Sequence, residues 1–248
     1  MSGHSKWKNI MHKKEKSDAQ KASIFTKIGR EITQAVKEGG PDPASSSKLK
    51  DIIAKAKTNN VPNDNIERVI KKAAGDGDNT QYEEITYEGY GPAGIAVIVE
   101  TLTDNRNRTA GDLRHYFDKY GGNLGQTGSV NWMFSKKGVI VISKEEYDDE
   151  EKLMEELMEV EAEDFVIEEN VYEIYTAPEN FSSVREYLEG KGYEFLSAEV
   201  EQVPSNYITL TNEDQIKNMN KLLEVLEDND DVQNTYHNWN DEESAVRT

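Results

Sequence analysis

"KKGVIVISKEEYDDEEKLMEELMEVEAEDFVIEENVYEIYTAPENFSSVREYLEGKGYEFLSAEVEQVP", Lys136 to Pro204, decides the fold. Val139–Ser143 reads as a strand, Glu146–Val160 as a helix, Phe165–Ile167 and Val171–Thr176 as strands. Pro178–Glu189 follows as a helix and Tyr193–Val203 as a strand. The apolar spacing switches between periods near 2 and 3.6 along this stretch. The order βαββαβ is the ferredoxin-like split unit.

Upstream of this unit, Ile95 to Thr101 is a β-branched run and Arg106–Tyr120 a helix with Ala110, Leu113 and Phe117 inward. Val130, Trp132 and Phe134 alternate as in a strand. Downstream, Asn212–Glu227 reads as a helix and Val232–His237 as a strand. Two elements cannot bury a core alone, so they are expected to rejoin the sheet around Ile95–Thr101. That makes a discontinuous α+β domain, 82–136 plus 206–240, with an acidic ferredoxin-like domain, 137–205, inserted into it.

The first 75 residues read as an arm and a three-helix bundle. Phe25, Ile28, Ile32 and Ala35 form one stripe after a cap at Ser17, stopped by Gly39-Gly40-Pro41. Leu49, Ile52, Ile53 and Ala56 follow caps at Ser45–Ser47. Ile66, Val69, Ile70 and Ala73 follow Pro62 and end at Gly75. Gly75–Gln81 is a linker. On the first helix Ser23, Lys27, Arg30, Gln34 and Lys37 lie opposite the apolar stripe and are expected to form a basic face.

Charge is distributed unevenly. Net charge is −19 overall, but +8 over residues 1–75, −3 over 76–140 and −24 over 141–248. The arm "GHSKWKNIMHKK", Gly3 to Lys14, holds four lysines, two histidines and a tryptophan. Lysines interleaved with an aromatic suit phosphate contact beside base stacking. "TDNRNRT", Thr103 to Thr109, puts Arg106 and Arg108 in a first helical turn, where cations oppose the helix dipole. They either pair with Asp104, Glu100 or Asp112, or hold an anion. The acidic helix around Asp148–Glu161 reads as a solvated face or as a docking surface for a basic partner.

Other chemistries find little support. "GYGPAG", Gly89 to Gly94, matches a dinucleotide pattern but leads into a strand, not a helix. "GDGDNT" lacks the glycine and closing glutamate of a calcium loop. No His-Glu-x-x-His or Gly-x-Ser-x-Gly occurs, cysteine is absent, and His115 reads as a surface or hydrogen-bonded residue. No catalytic residue, metal or cofactor is expected, nor a membrane segment. Cytoplasmic localisation fits the lack of cysteine. No heptad or dimer stripe appears, which favours a monomer.

The blocks "GHSKWKNIMHKK", "FTKIGREI", "NVPNDNIERVIKK", "YEGYGPAGIAVIVE", "TDNRNRTAGDLRH", "GGNLGQTGSVNWMF" and "LEDNDDVQNTYHN" resemble, in order, the YebC/PmpR family, which also contains the mitochondrial translational activator of cytochrome c oxidase. The inserted domain matches mainly by pattern, and "IMHKK" and "NTYHN" vary within their blocks. The resemblance implies three domains, one helical and two α+β, and no enzymatic activity. It implies a probable DNA-binding transcriptional regulator. The alternative is a ribosome-associated translation factor that contacts ribosomal RNA and helps difficult sequences such as polyproline. It implies nucleic-acid contact at Lys6, Trp7, Lys8, Lys13 and Lys14, and at Arg106 and Arg108. The helix-face residues Lys27 and Arg30 extend that set on the helical reading.

Overall fold

The computed structural model describes residues 10–11, 18–75 and 80–241. Three helices come first: α1 (Asp18–Gly39), α2 (Ser47–Thr58) and α3 (Asn63–Ala74). Ser46 caps α2, its hydroxyl accepting from the Leu49 amide at 3.2 Å. The cap expected at Ser17 lies outside the described residues. The apolar stripes meet as read: Ile28, Ile32, Ala35 and Val36 pack on Leu49, Ile52, Ala56, Ile66 and Ala73.

A four-stranded sheet follows, built from β1 (Glu83–Tyr90), β2 (Ala96–Thr103) and β3 (Asn123–Leu124), with α4 (Arg106–Lys119) between the last two. Its fourth strand is β9 (Val232–His237), which pairs antiparallel with β2 from Val97↔His237 to Thr101↔Val232. The strand order is β3-β1-β2-β9. Helix α4 and helix α7 (Glu213–Asp228) cover one face, where Leu113, Phe117, Met219, Leu222 and Leu226 meet Ile95, Val97 and Val99. The chain leaves and rejoins this sheet at one place, because the Ser205 amide donates to the Met133 carbonyl at 2.9 Å.

The intervening residues make a second sheet from β4 (Phe134–Ser143), β5 (Ala162–Ile167), β6 (Val171–Thr176) and β7 (Ser197–Pro204). Its order β5-β6-β4-β7, all antiparallel, with α5 (Glu150–Leu157) and α6 (Phe181–Gly190) as crossovers, is the ferredoxin-like arrangement. The run Val139–Ile142 is buried on both faces, which is why it lacks polar alternation. Ile140 and Ile142 face the helices, while Val139 and Val141 pack with Val171, Tyr175 and Ile10. A short parallel pair, β8 (Ile208–Thr209) with β10 (Trp239–Asn240), closes the C-terminal end.

Several boundaries move. Helix α5 starts at Glu150, not Glu146, because Asp149 caps it by accepting from the Lys152 amide at 3.0 Å. Helix α6 starts at Phe181, three residues after Pro178, and β7 starts at Ser197 rather than Tyr193. The strand expected through Val130, Trp132 and Phe134 is instead a 3₁₀ turn, Asn131–Met133, leading into β4. "GYGPAG" is a turn between β1 and β2, with Ala93 and Gly94 left-handed at φ 56° and 78°.

Gly138 shows how tightly the inserted domain closes. A Cβ there would lie 2.2 Å from Thr176 Oγ1 and 2.7 Å from Phe181 Cβ. Replacing Gly138 with alanine should therefore destabilise the protein by about 1–3 kcal/mol. A urea midpoint no lower than that of the parent protein would contradict this packing.

Candidate nucleic-acid interface

The arm positions Lys6, Trp7, Lys8, Lys13 and Lys14 lie outside the described residues. The other expected contacts can be followed side chain by side chain. The polar face of α1 is not an open cationic surface but a packing surface. Lys27 is buried, and its Nζ donates to the Glu227 carbonyl in the last turn of α7, where a cation complements the helix dipole. Ser23 donates to Asp230 at 3.2 Å, and Lys37 reaches the Thr80 carbonyl.

Arg30 and Arg108 converge on one carboxylate. Asp231, in the turn from α7 to β9, has a side chain only 5% exposed. Its Oδ1 accepts from Arg30 Nη1 at 2.7 Å and from Arg108 Nη2 at 2.9 Å. Its Oδ2 accepts from Arg108 Nη2 at 2.7 Å, Arg108 Nε at 3.2 Å and the Thr109 hydroxyl at 2.8 Å. The Asp231 carbonyl accepts from the Leu102 amide at 2.8 Å, and Asn229 holds the Asp231 amide at 2.9 Å. Burial opposes the charge, yet the bonds from Arg108, Arg30 and Thr109 outweigh it and hold the carboxyl below its ordinary value near 3.8.

Local pairing of Arg108 is therefore real, through Asp104 at 2.8 Å and chiefly through Asp231. Of the other partners weighed, Glu100 instead accepts from Asn234 at 3.1 Å and Gln202 at 3.4 Å. Asp231 was invisible as a partner because it lies 123 residues from Arg108. Arg106 differs from both. Its side chain is 65% exposed and meets Glu83 only at 3.4 Å.

A second set of contacts joins the bundle to the inserted domain. Lys55 Nζ bridges Glu31 at 3.0 Å and Glu199 at 2.9 Å. Burial opposes its charge, but Glu199 and Glu31 outweigh that and raise its pKa. Glu31 is pushed up in turn by burial, against Lys55. Lys50 pairs with Glu186 at 2.7 Å, and buried Arg185 bonds Asp51 at 3.2 Å. The cleft beside this network, about 380 Å³, is lined by Glu31, Lys55, Glu199, Tyr236 and His237, whose polar groups largely serve one another and the backbone. Among the described residues no group of His, Cys, Asp or Glu is placed to hold a metal ion, and no helix is long and apolar enough to cross a membrane.

What remains exposed is informative. Lys57, Arg68, Lys71 and Lys72 project from α2 and α3, and Lys57, Lys71 and Lys72 form no salt bridge with another described residue. Trp132 is 71% exposed, its indole N–H donating to the Ser129 carbonyl at 3.1 Å. The loop before it is pinned by buried Glu88, which accepts from the amides of Gly128, Val130 and Asn131 at 2.8, 2.8 and 2.9 Å. Burial opposes the Glu88 charge, but these three amides prevail and lower its pKa. Sequence reasoning placed Trp132 in a strand; the preceding "GQTGS" was the signal for a loop.

The Asp231 node can be tested by pH. Its lowered carboxyl contributes stability that is present above pH 3.8 and is lost as pH falls through the folded-state value. Asp231→Asn should cost about 3 kcal/mol at pH 7, since it strands Arg30 beside a neutral partner. In urea melts, the gap from the parent protein should narrow below pH 3.8. A gap independent of pH down to acid unfolding would assign the loss to packing alone.

Comparison with known proteins agrees with the resemblance seen in the sequence. Residues 5–76 match the model described as the TACO1/YebC protein N-terminal domain, and residues 82–239 the TACO1/YebC second and third domain. A protein of Acetivibrio thermocellus is 64% identical, over 96% of this chain and 99% of its own, and is named a probable transcriptional regulatory protein. One from Caldicellulosiruptor bescii, of the same name, is 60% identical over 98% of this chain and 100% of its own. The crystal structure of a conserved hypothetical protein from Aquifex aeolicus superposes with a TM-score of 0.80 at 44% identity, covering 90% of this chain and 92% of that one. The chain belongs to the TACO1/YebC family.

Proposed function

We propose that this protein is a non-enzymatic regulator of gene expression that binds nucleic acid chiefly through its N-terminal 75 residues, with Arg106 beside them. The observation that carries the reading is where exposed positive charge is left among the described residues. Lys27, Arg30, Lys50 and Lys55 are engaged inside the molecule. The exposed Lys57, Lys71 and Lys72 remain as candidates for phosphate contact, and the family resemblance adds the arm lysines Lys6, Lys8, Lys13 and Lys14. Trp7 is the candidate stacking residue of the arm, and Trp132 offers a second aromatic face. Exposed Arg106 belongs in the contact set. Arg108 supports it from behind, as do Lys27 and Arg30, by fixing helices α1 and α4.

Duplex DNA is the leading target, in line with the names of the relatives. A specific observation favours ribosomal RNA as the second reading. Residues 76–248 carry −27, which a long duplex repels unless they are held clear of it. A cationic arm on RNA with an acidic body against basic ribosomal protein uses both signs of charge.

Binding should weaken steeply with salt, with a slope of log K against log salt of about −3 to −4 for four or five phosphate contacts. A flat response would remove the polyanion reading. A DNA regulator should prefer one promoter duplex over random duplex by about 10³-fold at physiological salt. A ratio near one, with salt-releasable co-sedimentation with ribosomes, would select RNA instead. Trp7→Ala should cost about 1–3 kcal/mol in binding with little change in slope.

A further inference from the structure

Helix α5 and strand β5 of the inserted domain present an apolar strip that the fold covers only in part. Leu153 and Leu157 of α5 are buried on the sheet. Met154 and Met158, each one position further along, are 42% and 79% exposed, four residues apart and therefore adjacent on the helix surface. With Leu157, Val160, Ala162 and Phe165 they line an open groove between the helix end and β5. Ile167, also on β5, is exposed as well, so three of the five exposed large apolar side chains among the described residues fall on these neighbouring elements. Exposed apolar strips rimmed by polar groups mark interaction surfaces, and methionine is the side chain that adapts best to varied partners.

The rim specifies the sign of the partner. Residues 150–164 hold eight carboxylates and one lysine. Glu151 and Glu155 on α5 and Glu159 just past its end, spaced by four, run beside the methionines; Glu163, which also pairs with Lys137, and Asp164 stand on the other wall. This row works against the helix. Like charges four apart repel, and Glu155 and Glu156 sit in a last turn that has no basic residue. The local sequence thus accepts a weaker helix and exposed methionine together, on one face.

We infer that the α5–β5 groove is a docking site for a lysine- or arginine-rich segment of another protein, one carrying bulky apolar side chains for the methionine strip. The carboxylate row steers the segment and the methionines hold it. This goes beyond the nucleic-acid reading and does not rest on it.

The test uses the full chain with ¹³C-labelled methionine methyl groups and a synthetic 16-residue peptide of lysine and leucine in amphipathic spacing. Met154 and Met158 signals should shift on titration, while Met133 and buried Met219 stay in place. Met154→Ser with Met158→Ser should weaken binding at least tenfold, as should replacing the leucines of the peptide by serine. Both positions are exposed, so the double variant should melt like the parent protein. Glu155→Gln with Glu159→Gln should weaken binding and flatten its salt dependence. Three outcomes overturn the proposal. The peptide fails to shift Met154 and Met158, the serine peptide binds equally well, or the two signals shift with protein concentration alone, which would make a second copy of this chain the occupant. No nucleic acid enters the measurement, so it stands or falls apart from the nucleic-acid reading.

Discussion

The arrangement of the helical region on the first sheet depends on the Asp231 carboxylate. Two guanidinium groups and a hydroxyl, from α1 and α4, close on its two oxygens. A buried carboxylate is tolerable only when its lone pairs are filled, and here the geometry fills them. Its own backbone meanwhile caps the approach of β9 to β2 through Leu102. One residue therefore fixes where α1 lies, where α4 begins and where the returning chain enters the sheet.

The same economy of charge recurs at the inserted domain. Lys55 between Glu31 and Glu199, and Asp51 beside Arg185, set α2 against β7 and α6. Part of the opposition between a basic N-terminal region and an acidic remainder is thus satisfied inside the molecule. Among the described residues, the exposed charge left over is positive on α2 and α3, at Lys57, Lys71 and Lys72, and negative around α5.

Glu88 illustrates a third use of a buried carboxylate. It fixes a glycine-rich loop through three amides rather than through a cation. An oxygen held by backbone donors keeps its charge without a salt bridge. The rigid loop is what leaves the indole of Trp132 standing in solvent.

Local patterns along the chain suffice for the long elements and their order, but not for the two-residue strands β3, β8 and β10. Apolar periodicity separated helices from strands, and β-branched runs located β2 and β4. The βαββαβ succession, with two orphan elements after it, required the insertion that β9 completes. The charge profile located the basic and acidic regions. Which charges are available depends on packing in three dimensions, because partners such as Lys27 with Glu227 or Arg108 with Asp231 lie 200 and 123 residues apart. Periodicity reports which face of a helix is apolar; it does not report whether the polar face meets solvent or another element. That is why Lys27 and Arg30 read as an open surface and turned out to be ties. It is also why Trp132 read as part of a strand: alternation over five residues cannot tell a strand from a turn whose indole is left outside by a distant glutamate.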